Sequence, residues 1–141
     1  MSTTSVKTKI PAGLSTQQVI ATLHNHELMI KALCPALVSH ELESGDPSTE
    51  AVYSVTDKKP IGQTTYKLTL TNVDDGVNSL VNAKPPVGTL TIAGKWRIAG
   101  DMLTEDVDID GNFMMKKMAK GNVDSTHPKQ HELLLQEAQK A

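Results

Sequence analysis

Between residues 37 and 110 apolar side chains recur at every second position, segment after segment, and this two-residue period is what most restricts the fold. In TTYKLTLTNV, Tyr66, Leu68 and Leu70 oppose Lys67, Thr69 and Thr71. The same alternation sets Val38, His40 and Leu42 on one face of LVSHELES, and Ala51, Tyr53 and Val55 on one face of EAVYSVTD. It continues with Val77 and Val81, then with Leu90, Ile92, Trp96 and Ile98, and then with Leu103, Glu105, Val107 and Ile109. Strands with one apolar and one polar side build an antiparallel sheet with one wet face. The breaks between them, GDPS, KKPIGQ, DDG and PPVG, are turn sequences.

The flanks change period. SVKTKI alternates as one more strand and ends at PAG. Ser15 followed three residues later by Gln18 predicts a capping box, with Val19, Ile20 and Leu23 on one helical face. The apolar pattern breaks at HNH and resumes in ELMIKAL, which predicts a break near Asn25 and a second short helix stopped by Pro35. Beyond Asn112, a further cap, the period is helical again. This last region is expected to pause near Gly121 and Asn122 and to restart after Ser125 with Pro128 in its first turn.

A meander with one apolar face must bury that face, and the C-terminal helix is the long element left to cover it. At 141 residues, with no linker or internal repeat, residues 1–141 read as a single domain. The net charge of −2 and pI near 6.2 offer no basic field for nucleic acid, and the lysines are scattered. Cys34 alone makes no intramolecular disulfide and reads as a buried structural thiol. The start of the chain has no apolar signal core and no segment reaches the length of a membrane span, so a cytoplasmic location without stable membrane association is expected.

The order of strand, two short helices, antiparallel meander and final helix resembles the helix-grip fold of the START-like (SRPBCC) superfamily, an α+β arrangement in which a curved sheet wraps a C-terminal helix. That superfamily includes pollen-allergen-like proteins, lipid-transfer domains and polyketide cyclases. The stretches VIATLHNHELMIKALCPALVSHEL and GKWRIAGDMLTEDVDIDGNFMMKKMAKGN also resemble a group of small fungal proteins associated with natural-product pathways. The resemblance implies a pocket for a hydrophobic metabolite and carries over no catalytic residue by position.

The polar residues that share the apolar parity are the informative ones: His40, Tyr53, Tyr66 and Glu105, with the Trp96 indole N–H. A carboxylate turned inward needs a partner or a raised pKa. One reading makes His40 and Glu105 an acid and base while Tyr53, Tyr66 and Trp96 orient a ligand. The other satisfies each group within an ordinary core. Met114 and Met118, one helical turn apart, would form a soft wall of the same cavity. His24 and His26 would stand at its mouth, or plug backbone groups at the helix break.

No metal or cofactor is expected. His24, His26 and Glu27 lack the i, i+4 histidine spacing of a zinc-binding helix. DVDIDGNFMMKK copies half a calcium loop but has Lys117 where a bidentate glutamate is required, and its aspartates fit a solvent face. Arg97, of outward parity, is expected to be solvated or to pair with a neighbour such as Asp106, unless a bulge reverses it. Nucleotide-binding glycine loops and nucleophile elbows are absent. Three functions fit: a cofactor-independent cyclase, isomerase or dehydratase; a carrier without chemistry; or an interaction module whose interior is filled by its own side chains.

Overall fold

The computed structural model describes residues 2–34, 37–58, 63–83 and 89–140. Strand β1 (Ser2–Lys9) leads into helices α1 (Thr16–His24) and α2 (His26–Leu33). Six strands follow: β2 (Leu37–Gly45), β3 (Glu50–Lys58), β4 (Gln63–Val73), β5 (Gly76–Ala83), β6 (Leu90–Ala99) and β7 (Met102–Asp110). Helix α3 (Phe113–Gln139) closes the chain. The inner four residues of the turn expected at KKPIGQ, the turn expected at PPVG, and Pro35 lie outside the described residues.

Local chemistry accounts for the early helices. Gln18 N–H donates to Ser15 Oγ at 3.1 Å and Ser15 N–H donates to Gln18 Oε1 at 2.9 Å, closing the capping box that starts α1. Asn25 then serves two helices. Its N–H donates to Thr22 O at 3.1 Å, ending α1, and its Oδ1 accepts from Leu28 N–H at 3.3 Å, starting α2. The chain therefore turns at one residue, and His24 and His26 flank that turn.

All seven strands form one antiparallel sheet in the order β1-β7-β6-β5-β4-β3-β2. Strands β2 to β7 pair as successive hairpins, and β1 returns to lie beside β7, with Val6 opposite Glu105. The sheet curves over α3, which packs on β1 and β7 and against α1 and α2, giving the helix-grip fold. Its concave face carries the core, with Leu23, Met29, Ile30, Leu68, Leu70, Trp96, Leu103 and Leu134 all essentially excluded from water. Burial of each such side chain contributes roughly 1.5–3 kcal/mol. A smaller apolar cluster joins Val6, Val107 and Ile109 to Ala119 and Val123 in the first half of α3.

Two expectations change. The register shifts between Leu37 and Ser39, so Leu37 faces inward opposite Asp57 and packs on the core while Val38 is 49% exposed. A bulge adds one residue and reverses the parity behind it, which strict alternation does not anticipate. The second is α3, one helix from Phe113 to Gln139 with Gly121 and Pro128 inside it. Proline there removes one helical hydrogen bond and crowds the carbonyl four residues earlier, and glycine is a poor helix former. Packing of Ala119 and Val123 around Gly121, and of Leu134, Leu135 and Ala138 beyond Pro128, overrides both preferences.

Candidate functional site

The concave face carries two polar clusters on different strands. The first forms where the α1–α2 turn meets β3 and β4. His26 is buried, its Nδ1 2.8 Å from the Tyr53 hydroxyl and its Nε2 2.9 Å from Asn72 Oδ1. Asn72 Nδ2 donates to Pro47 O at 3.4 Å, which turns Oδ1 toward the imidazole. An amide oxygen only accepts, so His26 Nε2 carries the hydrogen, and Nδ1 accepts from the Tyr53 O–H. Burial lowers the pKa of His26, the nearby His24 adds to this, and the Asn72 hydrogen bond opposes it. Burial raises that of Tyr53. The pair is therefore neutral at pH 7, with the direction of its hydrogen bond determined.

His24 lies beside this pair. Its Nε2 is 2.8 Å from Val73 O and 2.9 Å from Gly76 O, and since both are carbonyls this nitrogen donates to them. The ring thus ties the end of α1 to the β4–β5 hairpin. Arg97 holds the same hairpin, donating to Asn78 Oδ1 at 2.7 Å and approaching Asp75 at 3.4 Å. Asp75, rather than Asp106, is its acidic partner, because Lys95 stands opposite Asp106 in the register. His40 sits opposite Val55 on β2 and is exposed, its ring edge-on to Tyr53 with centroids 6.5 Å apart. His24, His26, His40 and Tyr53, with Ile30 and Pro47, line an open cleft of about 350 Å³.

The second cluster lies under α3. Glu105 alternates inward on β7 between Val6 and Trp96 and is 1% exposed. His127 Nδ1 is 2.6 Å from its Oε2, and His131 Nε2 is 3.0 Å from its Oε1. One helical turn separates the two histidines, so both reach the same carboxylate. His131 Nδ1 meets Thr8 Oγ1 at 2.9 Å. The Trp96 indole packs on both imidazoles, with centroids 6.1 Å from His127 and 5.0 Å from His131, and donates to Ser79 Oγ at 3.2 Å. Burial by itself would raise the Glu105 pKa, but hydrogen bonds and charge from His127 and His131 outweigh it and hold the carboxyl below its usual range. Glu105 is an ionised acceptor anchoring the helix to the sheet.

Gly94 leaves room for this arrangement. A Cβ there would lie 2.7 Å from Ser79 Oγ, 3.3 Å from Trp96 Nε1 and 3.6 Å from Glu105 Oε2. Even one methyl group would displace the serine from the indole.

The structure separates His40 from Glu105, since β6, β5, β4 and β3 stand between their strands. His40 meets Tyr53 and the α1–α2 turn instead, and Glu105 meets His127 and His131. Tyr66 is not part of the cleft lining, its hydroxyl lying against Cys34 Sγ, and burial first of all pushes its pKa far up. Trp96 is wholly buried against the α3 histidines. Met114 and Met118 are 70% and 72% exposed and form no cavity wall, because the side of the first turns of α3 facing the sheet is that of Ala119 and Val123. Sequence reading missed His127 and His131, although a helix restarting after Ser125 puts both on one face at i, i+4 spacing, because the local pattern does not say which strand residue that face meets. It also missed Asn72. Among the described residues, no group of three histidine, cysteine or acidic side chains has metal-holding geometry.

A family model described as a domain of unknown function, DUF7053, matches residues 1–140. No functionally curated protein sequence matches the chain. Solved structures match in fold. The di-domain ARO/CYC StfQ from the steffimycin biosynthetic pathway is 10% identical with a TM-score of 0.73 over 98% of this chain. This chain covers 50% of StfQ and so spans half its length. The Zhui aromatase/cyclase from Streptomyces sp. R1128 is 11% identical with a TM-score of 0.62, over 99% of this chain and 95% of that one. The STAR-related lipid transfer protein from Xanthomonas axonopodis, a fragment, is 13% identical with a TM-score of 0.58, over 94% and 84%.

Proposed function

The chain belongs to the DUF7053 family, whose description assigns no activity, and from the site itself we propose that it binds a small metabolite in the cleft at the α1–α2 turn and moves a proton on it without a cofactor. The observation that carries this is the His26–Tyr53 hydrogen bond of 2.8 Å, oriented by Asn72, at the wall of a cleft that His40 also lines, its ring edge-on to Tyr53. The cleft volume sits at the small end of ligand sites, enough for a compact ring system against Ile30 and Pro47. Its lining is more polar than a lipid cavity, which favours a ligand with a hydroxyl, carbonyl or enol at one end.

The chemistry follows from the hydrogen-bond direction. Tyr53 points its hydrogen at His26 and leaves its oxygen lone pairs for the ligand. An acidic ligand proton passes to Tyr53 as the phenolic proton passes to His26 Nδ1, and Asn72 Oδ1 steadies the imidazolium through Nε2–H. A base of lowered pKa returns the proton readily, and His40 at the mouth supplies one to a second ligand atom. Such positioned acid–base groups contribute roughly 10²–10⁴-fold to a rate. Enolisation steps of this kind underlie cyclisations, isomerisations and dehydrations. The aromatase/cyclase fold neighbours are in keeping with that class.

A carrier is the second reading, favoured by the engagement of both ring nitrogens of His26 within the protein. Deuterium exchange separates the two. Phenolic and β-dicarbonyl compounds are screened by NMR, and binders are then held in D2O with the protein. An enzyme accelerates exchange of an acidic ligand C–H, and Tyr53→Phe removes the acceleration while changing affinity only a few-fold. Binding at the cleft without exchange assigns a carrier, and binders that leave the signals of His26, His40 and Tyr53 unmoved refute the site.

A further inference from the structure

Three hydrogen-bond acceptors at the tip of the β4–β5 hairpin lie within residues 72–76. Asn72 Oδ1 is 2.9 Å from His26 Nε2, and Val73 O and Gly76 O are 2.8 Å and 2.9 Å from His24 Nε2. One tip therefore holds the Nε2–H of both histidines that flank the α1–α2 turn. With that hydrogen committed, a neutral imidazole keeps its lone pair on Nδ1, and for His26 this is the atom that accepts from Tyr53. The direction of the Tyr53–His26 hydrogen bond thus depends on where the tip stands.

What holds the tip lies outside the cleft. Arg97 on β6 stands opposite Gly76 in the register and is not among the residues that line the cleft. Its Nη1 donates to Trp96 O at 2.9 Å and to Val77 O at 3.3 Å, its Nη2 donates to Asn78 Oδ1 at 2.7 Å, and its Nε faces Asp75 Oδ1 at 3.4 Å. One planar guanidinium so engages the turn, the start of β5 and β6 together, in directions that a point charge cannot match. Its side chain is 26% exposed, which shields these bonds in part from water. The backbone is close at the same place: Ile98 N–H donates to Asp75 O at 3.1 Å, and a Cβ at Gly76 would overlap Trp96 O. Asn72 has a second anchor in the β2–β3 turn, where its N–H donates to Thr49 O at 2.7 Å and its Nδ2 to Pro47 O at 3.4 Å. The two carbonyls that hold His24 belong to the tip itself.

We infer that Arg97 is a positioning residue for the cleft: by fixing the β4–β5 tip it keeps the Val73 and Gly76 carbonyls and the Asn72 amide in place, and so sets the hydrogen-bond polarity of His24 and His26. Its use to a ligand rests on the reading of the cleft as a metabolite site, but the arrangement exists in the free protein and is tested there.

The test is solvent exchange of the imidazole Nε2–H protons, followed by NMR on the full chain labelled with nitrogen-15 histidine and without ligand. His131 supplies an internal reference, because Glu105 rather than the hairpin holds its Nε2–H. In Arg97→Ala the His24 proton is expected to exchange about tenfold faster or more, with His131 changed by less than about twofold. The His26 proton should respond in the same direction but less, since Asn72 keeps its bonds to the β2–β3 turn. Arg97→Lys retains the charge beside Asp75 without the fork and is expected to behave like Arg97→Ala. Circular dichroism verifies that each variant is folded. A rise shared equally by all three protons would report a general loss of stability and overturns the proposal. Exchange at His24 and His26 that stays as slow as in the unsubstituted chain, in either variant, overturns it as well. Failure of every compound to bind at the cleft would instead refute the metabolite reading and leave these exchange rates as they are.

Discussion

His127 Nδ1 lies 2.6 Å from Glu105 Oε2, the carboxylate that His131 reaches from the other side at 3.0 Å, and through these contacts one acidic side chain on β7 holds the middle of α3 to the sheet. The cluster is buried and sits beside Trp96, so its groups have exchanged water for one another. Removing one partner leaves the others without replacement. Glu105→Ala is therefore expected to destabilise the protein by about 3 kcal/mol, read as a lower urea midpoint at unchanged slope. A loss below half of that would mean that the imidazoles find water or another acceptor.

Acidification should weaken the fold in two stages. His26 has a folded pKa below its unfolded value near 6.5, so its contribution is complete above about pH 6.5 and is lost as pH falls through the lowered folded value. Glu105 has a folded pKa below an unfolded value near 4.3, so its contribution persists above about pH 4.3 and is lost on further acidification. Urea unfolding at successive pH values measures both. His26→Gln should flatten the upper stage and leave the lower one in place, whereas Glu105→Gln should flatten the lower stage. A lower stage that survives Glu105→Gln, or an upper stage unchanged by His26→Gln, would contradict the assignment.

Gly94→Ala should cost about 1–3 kcal/mol, because the added methyl group overlaps the Ser79 hydroxyl and crowds the Trp96 indole. Ser79→Ala in the same chain removes the crowded atom. The double variant is expected to be less destabilised than the sum of the single ones, and strict additivity in a double-mutant cycle would show that the two positions do not meet.

Asn25→Ala removes the acceptor for Leu28 N–H at the start of α2, with an expected loss of about 1 kcal/mol. The same residue sets the turn between His24 and His26. Ligand affinity at the cleft should therefore fall more than stability alone explains, as calorimetric titration of Asn25→Ala against a compound found by the NMR screen would measure. Asn25→Asp retains the acceptor and should restore both properties.

Local features were legible from sequence because their causes lie within a few residues. The strands follow from the alternation, the α1 start from Ser15 and Gln18, and the break from Asn25, whose capping bonds span three residues at most. The inward parity of Tyr53 and Glu105 follows in the same way, and both side chains are buried. Tertiary structure decided what those side chains meet. His26 reaches Tyr53 across 27 residues and Asn72 across 46, while Glu105 meets its histidines across 22 and 26. Strand order, which no local period encodes, kept His40 apart from Glu105. The bulge at Val38 and the continuity of α3 through Pro128 have the same origin, since each is a local disadvantage that persists because distant surfaces pack on it. Periodicity specifies which side of an element is buried, and only the assembled sheet and helices specify what is buried against it.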